Sequence, residues 1–85
     1  MNNGVRDMRK KTKEVESILF NKNDYTKKDV QSILREKGLE TYIDTSRHYY
    51  RARQRDPYDF RSNTLRTWHI APGIKAIVGT LKKGR

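Results

Sequence analysis

Three arginines at a spacing of four residues are the feature of the sequence with the most specific chemistry to offer. Arg47, Arg51 and Arg55 lie in a segment that has no acidic residue between Thr45 and Arg55. On an α-helix, this spacing places the three side chains within about 80° of one another. Because guanidinium groups donate hydrogen bonds to phosphates and to guanine edges, the stripe favours contact with nucleic acid over a merely solvated helix face.

Other basic and aromatic side chains extend this set. Arg53 lies at the edge of the same predicted helix, where it either contacts the ligand or covers the core with its stem. Tyr49 and Tyr50 are adjacent and must face different ways, so one is expected in the core and the other at the ligand. Trp68 is expected in the core. The predicted nucleic-acid contacts are Arg47, Arg51, Arg53, Arg55, Tyr50, Arg61, Arg66, Lys75, Lys82 and Lys83.

The charge is concentrated in the second half of the chain. The 85 residues carry a formal net charge of +10. Residues 1–44 hold ten basic and eight acidic residues, whereas residues 45–85 hold ten basic residues and only Asp56 and Asp59 as acids. Six of the eight aromatic residues lie between positions 42 and 68. Interleaved basic and aromatic residues are typical of a surface that binds a polyanion.

Several functional classes are not expected. The chain has no cysteine, which excludes disulfides, thiolate chemistry and cysteine-ligated zinc. His48 and His69 fall on different predicted elements with no carboxylate at a ligand spacing, so neither a metal nor another cofactor is expected. No catalytic motif is recognisable, and we expect no enzyme, although a metal-independent ribonuclease of the Arg–His–Tyr kind stays open. No apolar run is long enough for a membrane, so a cytoplasmic protein is expected.

The elements that must position these residues follow from periodicity. Apolar residues at spacings of three and four predict a first helix over 5–20. A second helix is predicted over 26–38, with Thr26 as N-cap, Asp29 completing a capping box and Gly38 ending the helix in a Schellman motif. A third helix, which carries the arginine stripe, is predicted to begin at 44–46 and to end before Pro57.

Beyond a turn at 56–59, the pattern alternates, and two antiparallel strands are predicted over 64–70 and 74–81. The intervening Ala71-Pro72-Gly73 favours a longer or bulged connection, and Gly79 indicates a bulge or a close approach of backbone. The expected fold is therefore α+β: three helices followed by a C-terminal two-stranded hairpin. One small basic domain over 1–85 is expected, with frayed ends at 1–4 and 82–85.

This order of elements resembles that of winged-helix domains. The resemblance implies that the third helix reads the major groove of duplex DNA and that the hairpin is the wing. A small DNA-binding regulator of transcription, or an accessory factor of the phage or mobile-element kind, is the leading interpretation. Two alternatives stay open: an inhibitor or adaptor whose basic face binds an acidic protein, and an RNA-binding protein. The sequence leaves the oligomeric state open.

Overall fold

The computed structural model describes residues 13–82, in which five antiparallel strands form a single sheet beside one α-helix. The strands are ordered β2-β3-β1-β5-β4. The prediction of three helices followed by a hairpin, and with it the winged-helix topology, is therefore wrong, although the C-terminal hairpin is present. The elements are β1 (Lys13–Asn21), α1 (Lys27–Glu36), β2 (Ile43–Thr45), β3 (Tyr49–Arg53), a 3₁₀ turn (Pro57–Asp59), β4 (Arg66–Ala71) and β5 (Ile74–Thr80).

The central strand β1 replaces the second half of the predicted first helix, whose residues 5–12 lie outside the described range. Ile18 and Phe20 of β1 pack on the core side of the sheet, and Leu19 between them lies on the opposite side. Ile18 is paired in register with Ala52 of β3 and with Ala76 of β5. The spacing of four between Val15 and Leu19 fits one face of a helix, but a register shift between Val15 and Ser17 places the two on opposite faces of the strand, and pairing with β3 and β5 decides the structure.

The hairpin β2–β3 occupies the place of the predicted third helix. Thr45 is paired with Tyr50, and the N–H of Ser46 donates to the carbonyl of Tyr49 at 2.9 Å, which closes the turn. The residues expected to cap a helix, Asp44 to Ser46, therefore end a strand and form a turn. Arg51 and Arg53 lie on one face of β3 because alternate residues of a strand share a face.

The helix α1 confirms the second predicted helix at both ends. Thr26 accepts from the N–H of Asp29 at 3.1 Å, and the Asp29 carboxylate accepts from the N–H of Thr26 at 3.0 Å, which completes the capping box. Gly38 has φ +70, and the N–H of Leu39 donates to the carbonyl of Leu34 at 2.9 Å, as in a Schellman ending.

The core lies between α1 and one face of the sheet, which we call the helix face. Val30 and Leu34 of α1 are fully buried against Phe20 of β1 and Ala52 of β3. Within the described residues, no helix covers the opposite face, which we call the open face. Its residues are those that alternate with the core positions: Ser17, Leu19, Tyr49, Arg51, Arg53, Thr67, His69, Lys75 and Ile77.

The C-terminal hairpin confirms two expectations about its glycines and its turn. Only Pro72 and Gly73 separate the paired residues Ala71 and Ile74, and a register shift between His69 and Ala71 supplies the expected bulge. Gly79 lies where backbone and side chains approach closely: an added Cβ would be 2.8 Å from Cδ2 of Phe60. A side chain at position 79 therefore cannot be accommodated unless the segment around Phe60 shifts.

Candidate nucleic-acid interface on the open sheet face

The register of the sheet brings basic residues from three strands onto the open face. Arg51 of β3 lies opposite Leu19 of β1, Leu19 lies opposite Lys75 of β5, and Lys75 lies opposite His69 of β4. Neighbouring strands are about 4.8 Å apart, so this row carries three basic or titratable side chains over about 15 Å. Arg53 belongs to the adjacent row, opposite Ser17. The tertiary structure thus assembles a basic surface from residues that are far apart in sequence.

A buried glutamate holds two of these arginines. Nη2 of Arg51 donates to Oε1 of Glu16 at 3.0 Å, and Nε of Arg51 donates to Oγ of Ser17 at 3.0 Å. Nε of Arg53 lies 3.5 Å from Oε2 of Glu16, an ion pair without hydrogen-bond geometry. The Glu16 side chain is 1% exposed, whereas those of Arg51 and Arg53 are 37% and 39% exposed. One buried carboxylate thus faces two guanidinium groups whose outer edges reach solvent.

The position of Glu16 depends on an irregularity in β1. The register of β1 against β5 shifts between Val15 and Ser17, so Glu16 is the extra residue of a β-bulge. The carbonyl of Glu16 accepts from the N–H groups of both Gln54 and Arg55, at 2.8 and 3.2 Å. Bulges are common where a strand re-aims a side chain. This one directs a carboxylate beneath the arginines of β3.

These contacts correct the prediction of an arginine stripe that no acid opposes. Acids are absent from the segment itself, but Glu16 and Glu14 reach it from β1. Nε of Arg55 is 4.0 Å from Oε1 of Glu14, with both side chains about two-fifths exposed, so this third ion pair is weak. Arg47 lies in the exposed turn between β2 and β3 and is not part of the row. The structure therefore brings Arg51 and Arg53 together and separates Arg47 from them.

The two adjacent tyrosines fall on opposite faces, as expected. Tyr50, the residue predicted to reach the ligand, lies on the core side, and Tyr49 lies on the open face. Tyr50 packs against the core on the helix face, with Nζ of Lys22 5.6 Å from its ring centre. Tyr49 lies on the open face, where its hydroxyl accepts from Nζ of Lys75 at 3.0 Å. Tyr50 therefore does not share the open face with Arg51, and its contact with a ligand stays a prediction. The fully buried Ala52, two residues on, shares the face of Tyr50 and is the signal that could have found this.

The remaining predicted contacts lie elsewhere. Arg61 and Lys82 are exposed at the end of the sheet where β5 finishes: the N–H of Arg61 donates to the carbonyl of Thr80, and the N–H of Lys82 donates to that of Asp59. Arg66 starts the edge strand β4, and its Nη1 donates to the carbonyls of Asn63 and Leu65 at 3.0 Å. Lys83 lies outside the described residues. Arg66 is paired with Val78 and so lies on the face opposite Arg51 and Lys75.

An acidic residue of β2, Asp44, lies opposite Arg51 in the strand register, but its side chain is hydrogen-bonded to Tyr42. Asp44 of β2 is the cross-strand neighbour of Arg51. Its Oδ1 accepts from the hydroxyl of Tyr42 at 2.9 Å. This hydrogen bond, together with the negative charge of Asp44, raises the pKa of Tyr42 above its ordinary value of 10.0. Asp44 is thereby oriented toward Tyr42, which leaves Glu16 as the carboxylate that holds Arg51.

Two further features bear on the kind of site. A groove of about 550 Å³ lies beside Tyr42 and Tyr58, and it is lined by Arg53 and Arg55 but also by Glu40 and Asp56. Its charges are balanced, so it is not a selective anion site. Among residues 13–82, no group of three or more histidine or acidic side chains could hold a metal ion. Over the same residues, no helix combines the length and apolar character that a membrane span requires.

Comparison of the chain with protein-family models, with curated proteins and with solved structures gives no match. The geometry and charge of the described residues are therefore what supports a functional proposal.

Proposed function

We propose that this protein binds the phosphate backbone of nucleic acid through the open face of its sheet. The observation that carries the proposal is the strand register, which gathers Arg51, Arg53 and Lys75 on one solvent-facing surface. The net charge of +10 supplies a long-range attraction for any polyanion. Lysine and arginine contacts to phosphates provide affinity without needing to read bases.

The mode of binding differs from that implied by the winged-helix resemblance. Residues 49–53 are a strand, so no helix presents the arginines to the major groove. A sheet face can instead lie against a groove or along a backbone, as in the known β-sheet readers of DNA. Duplex DNA stays the first expected ligand and RNA the second. A regulatory or mobile-element role and a cytoplasmic location stay predictions.

Glu16 has a definite part in this proposal. By holding Arg51 and Arg53 from below, it fixes two guanidinium groups before any ligand arrives, and each guanidinium has five N–H donors to divide between glutamate and ligand. Fixing side chains in advance lowers the entropy cost of binding. The pair of arginines keeps one net positive charge after Glu16 is counted. Lys75, which has no acid within ion-pair distance among the described residues, adds a full charge.

The test is fluorescence anisotropy of the full chain with labelled duplex DNA, single-stranded DNA and single-stranded RNA of equal length. Three phosphate contacts predict a fall in affinity of about fortyfold when salt rises from about 50 to about 200 mM. Preference for one of the three ligands in competition identifies the nucleic acid. Affinity that does not change with salt, for every ligand, would overturn the proposal.

A pair of lysine variants tests the surface. We expect Lys75→Gln to weaken binding severalfold and to reduce the salt slope by about one unit, because one phosphate contact is lost. The matched control is Lys28→Gln, which removes the same charge from an exposed position on α1. If both variants weaken binding equally, only the net charge matters and the open face is not the binding surface.

A further inference from the structure

The edge strand β4 is the longer and more exposed of the two edges of the sheet. All six of its residues, Arg66–Ala71, are exposed, and among residues 13–82 no strand pairs with its outer side. The other edge strand, β2, has only three residues. Proteins usually protect a sheet edge with lysine, proline or a very short strand. β4 has none of these; its protections are Arg66 at its first position, which is its one formal charge, and the bulge at Ile70 near its end.

An apolar groove lies directly beside this edge on the helix face. α1 covers β1 and β3, and its end leaves a groove of about 220 Å³ against β5 and β4. Trp68 and Ile70 of β4 are 49% and 57% exposed at this side of the sheet, so the expectation that Trp68 lies in the core is wrong. The groove is lined by Val15, Ile18, Phe20, Ile33, Leu34, Lys37, Leu39, Ile70, Ile74 and Ala76. An unpaired edge and an apolar groove thus lie side by side.

The charged residues that line this surface have one sign. Of the residues that the structure describes, Lys37 is the one charged residue that lines the groove. Lys13 and Arg66 line a small cleft next to Trp68, together with Thr64 and residues of β5. Within positions 13–82, no acidic residue lines either depression. A ligand that fits both the groove and its rim therefore combines apolar side chains with negative charge.

We propose that β4 and the adjacent groove bind an extended segment of another protein that has apolar residues at alternate positions and acidic residues flanking them on the same face. The segment would add to the sheet as a sixth strand, with main-chain hydrogen bonds to β4 and alternate side chains in the groove. Its apolar residues would cover Trp68 and Ile70, and its acidic residues would lie near Lys37 and Arg66. This proposal is independent of the proposed function, which uses the opposite face.

Two other occupants of the groove, a second copy of the chain and the chain's own residues 1–12, fit its charge less well. A second copy would bring another β4, which has Arg66 and no acid, into a pair of chains that each carry +10. The chain's own residues 1–12 carry Arg6, Arg9, Lys10 and Lys11 against a single acid, Asp7. Both occupants would place like charges at Lys37 and Arg66, which disfavours binding. An acidic partner removes this repulsion.

The test begins with selection of a random displayed library of about twelve-residue peptides against the full chain, a length that spans more than the six residues of β4. We expect enrichment of peptides that have apolar residues at alternate positions with acidic residues flanking them on the same face. Binding of the enriched peptide should shift the backbone NMR signals of residues 66–71 most strongly. Selection that yields no peptide, or peptides that bind away from β4, would overturn the proposal.

Variants decide whether the groove takes part. Ile70→Glu should weaken binding of the enriched peptide by tenfold or more, because it replaces an apolar contact with a charge that repels the peptide. The control is Tyr58→Glu, which places the same charge at a residue that is 80% exposed and distant from the groove lining. Lys37→Glu should also weaken binding. Equal loss in the Ile70 and Tyr58 variants would contradict the proposal.

Two measurements identify the competing occupants. Sedimentation of the full chain would reveal a dimer, and loss of that dimer in Ile70→Glu would assign the edge to a second copy. Contacts between residues 1–12 and β4 in NMR spectra of the full chain would assign it to the chain itself. Either result would overturn the proposal. A monomer that binds the acidic peptide through β4, with unchanged affinity for nucleic acid in Ile70→Glu, is the expected outcome.

Discussion

The two faces of this sheet are stabilised by different physical means. On the helix face, Val30 and Leu34 of α1 exclude water from Phe20 and Ala52, and the stabilisation is hydrophobic. On the open face, the corresponding central position is a buried carboxylate, Glu16, which partly exposed arginines cover. The comparison shows that a small sheet can keep one face charged and solvent-facing, provided that each buried charge has its partners.

The helix face should be the more sensitive of the two to loss of a side chain. We expect Leu34→Ala to lower the free energy of unfolding by about 2–5 kcal/mol, because it removes a fully buried side chain and leaves a cavity. Urea denaturation followed by circular dichroism measures the change.

The matched control for this variant is Leu39→Ala, at the other end of the Schellman motif, where the side chain is 36% exposed. Its effect should be well below that of Leu34→Ala, at about 1 kcal/mol or less. Equal losses in the two variants would mean that α1 does not form the core of the described structure.

Glu16 tests the open face. Glu16→Gln removes the charge that Arg51 and Arg53 share but keeps the shape of the side chain. We expect the free energy of unfolding to fall by about 1–3 kcal/mol, less than for a fully buried ion pair, because water screens the partly exposed arginines. The same denaturation measurement applies.

Glu14→Gln is the control for Glu16→Gln. Glu14 lies 4.0 Å from Arg55, and both side chains are about two-fifths exposed, so the substitution should change stability by about 0.5 kcal/mol or less. The difference between the stability losses of Glu16→Gln and Glu14→Gln reports how much the burial of Glu16 contributes to its ion pairs. A larger loss for Glu14→Gln would reverse the assignment of Glu16 as the organising carboxylate.

The smallest expected effect concerns the end of the charged row. Asp44→Asn should lower the pKa of Tyr42 toward its ordinary value of 10.0, since the negative charge that disfavours the tyrosinate is gone. The hydrogen bond between Tyr42 and Asp44 is present below the raised pKa and is lost as the pH rises through it. NMR titration of the Tyr42 ring measures the shift.

Asp56→Asn serves as the control for Asp44→Asn, because Oδ1 of Asp56 accepts from the N–H of Tyr58 and does not contact Tyr42. It should leave the pKa of Tyr42 unchanged. If the two asparagine variants shift that pKa equally, the hydrogen bond to Asp44 is not its cause.

Two segments show how far sequence patterns reach in this chain. For α1, the signals are local: the capping box at Thr26 and Asp29 and the ending at Gly38 fix both ends within a few residues. For residues 44–55, the arginine spacing of four fits a helix and a strand alike, and the apolar residues are too few to choose between them. The partners that make this segment a strand, in β1, are 28 to 36 residues away in the sequence.

The candidate site also combines features that the local sequence predicts with features that pairing between distant strands decides. The excess of basic residues after position 45 is visible in the sequence, as is the separation of Tyr49 from Tyr50 by face. The pairing of Arg51 and Arg53 with Glu16 is not, because it depends on a bulge that turns one residue of β1 toward β3. Local sequence patterns do not show which distant acidic residue lies beside an arginine, because the register between strands decides that.

The sequence by itself determined the capped helix, the C-terminal hairpin and the sign of the charge, and it reduced Gly79 to two possibilities, a bulge or a close approach. Each of these depends on backbone preferences or composition within a few residues. Only the tertiary structure decided that β1 is central, that the arginines share a strand face, and that Glu16 neutralises part of their charge. Pairing between distant strands sets these features, because the hydrogen bonds and the burial that stabilise a strand come from its neighbours in the sheet.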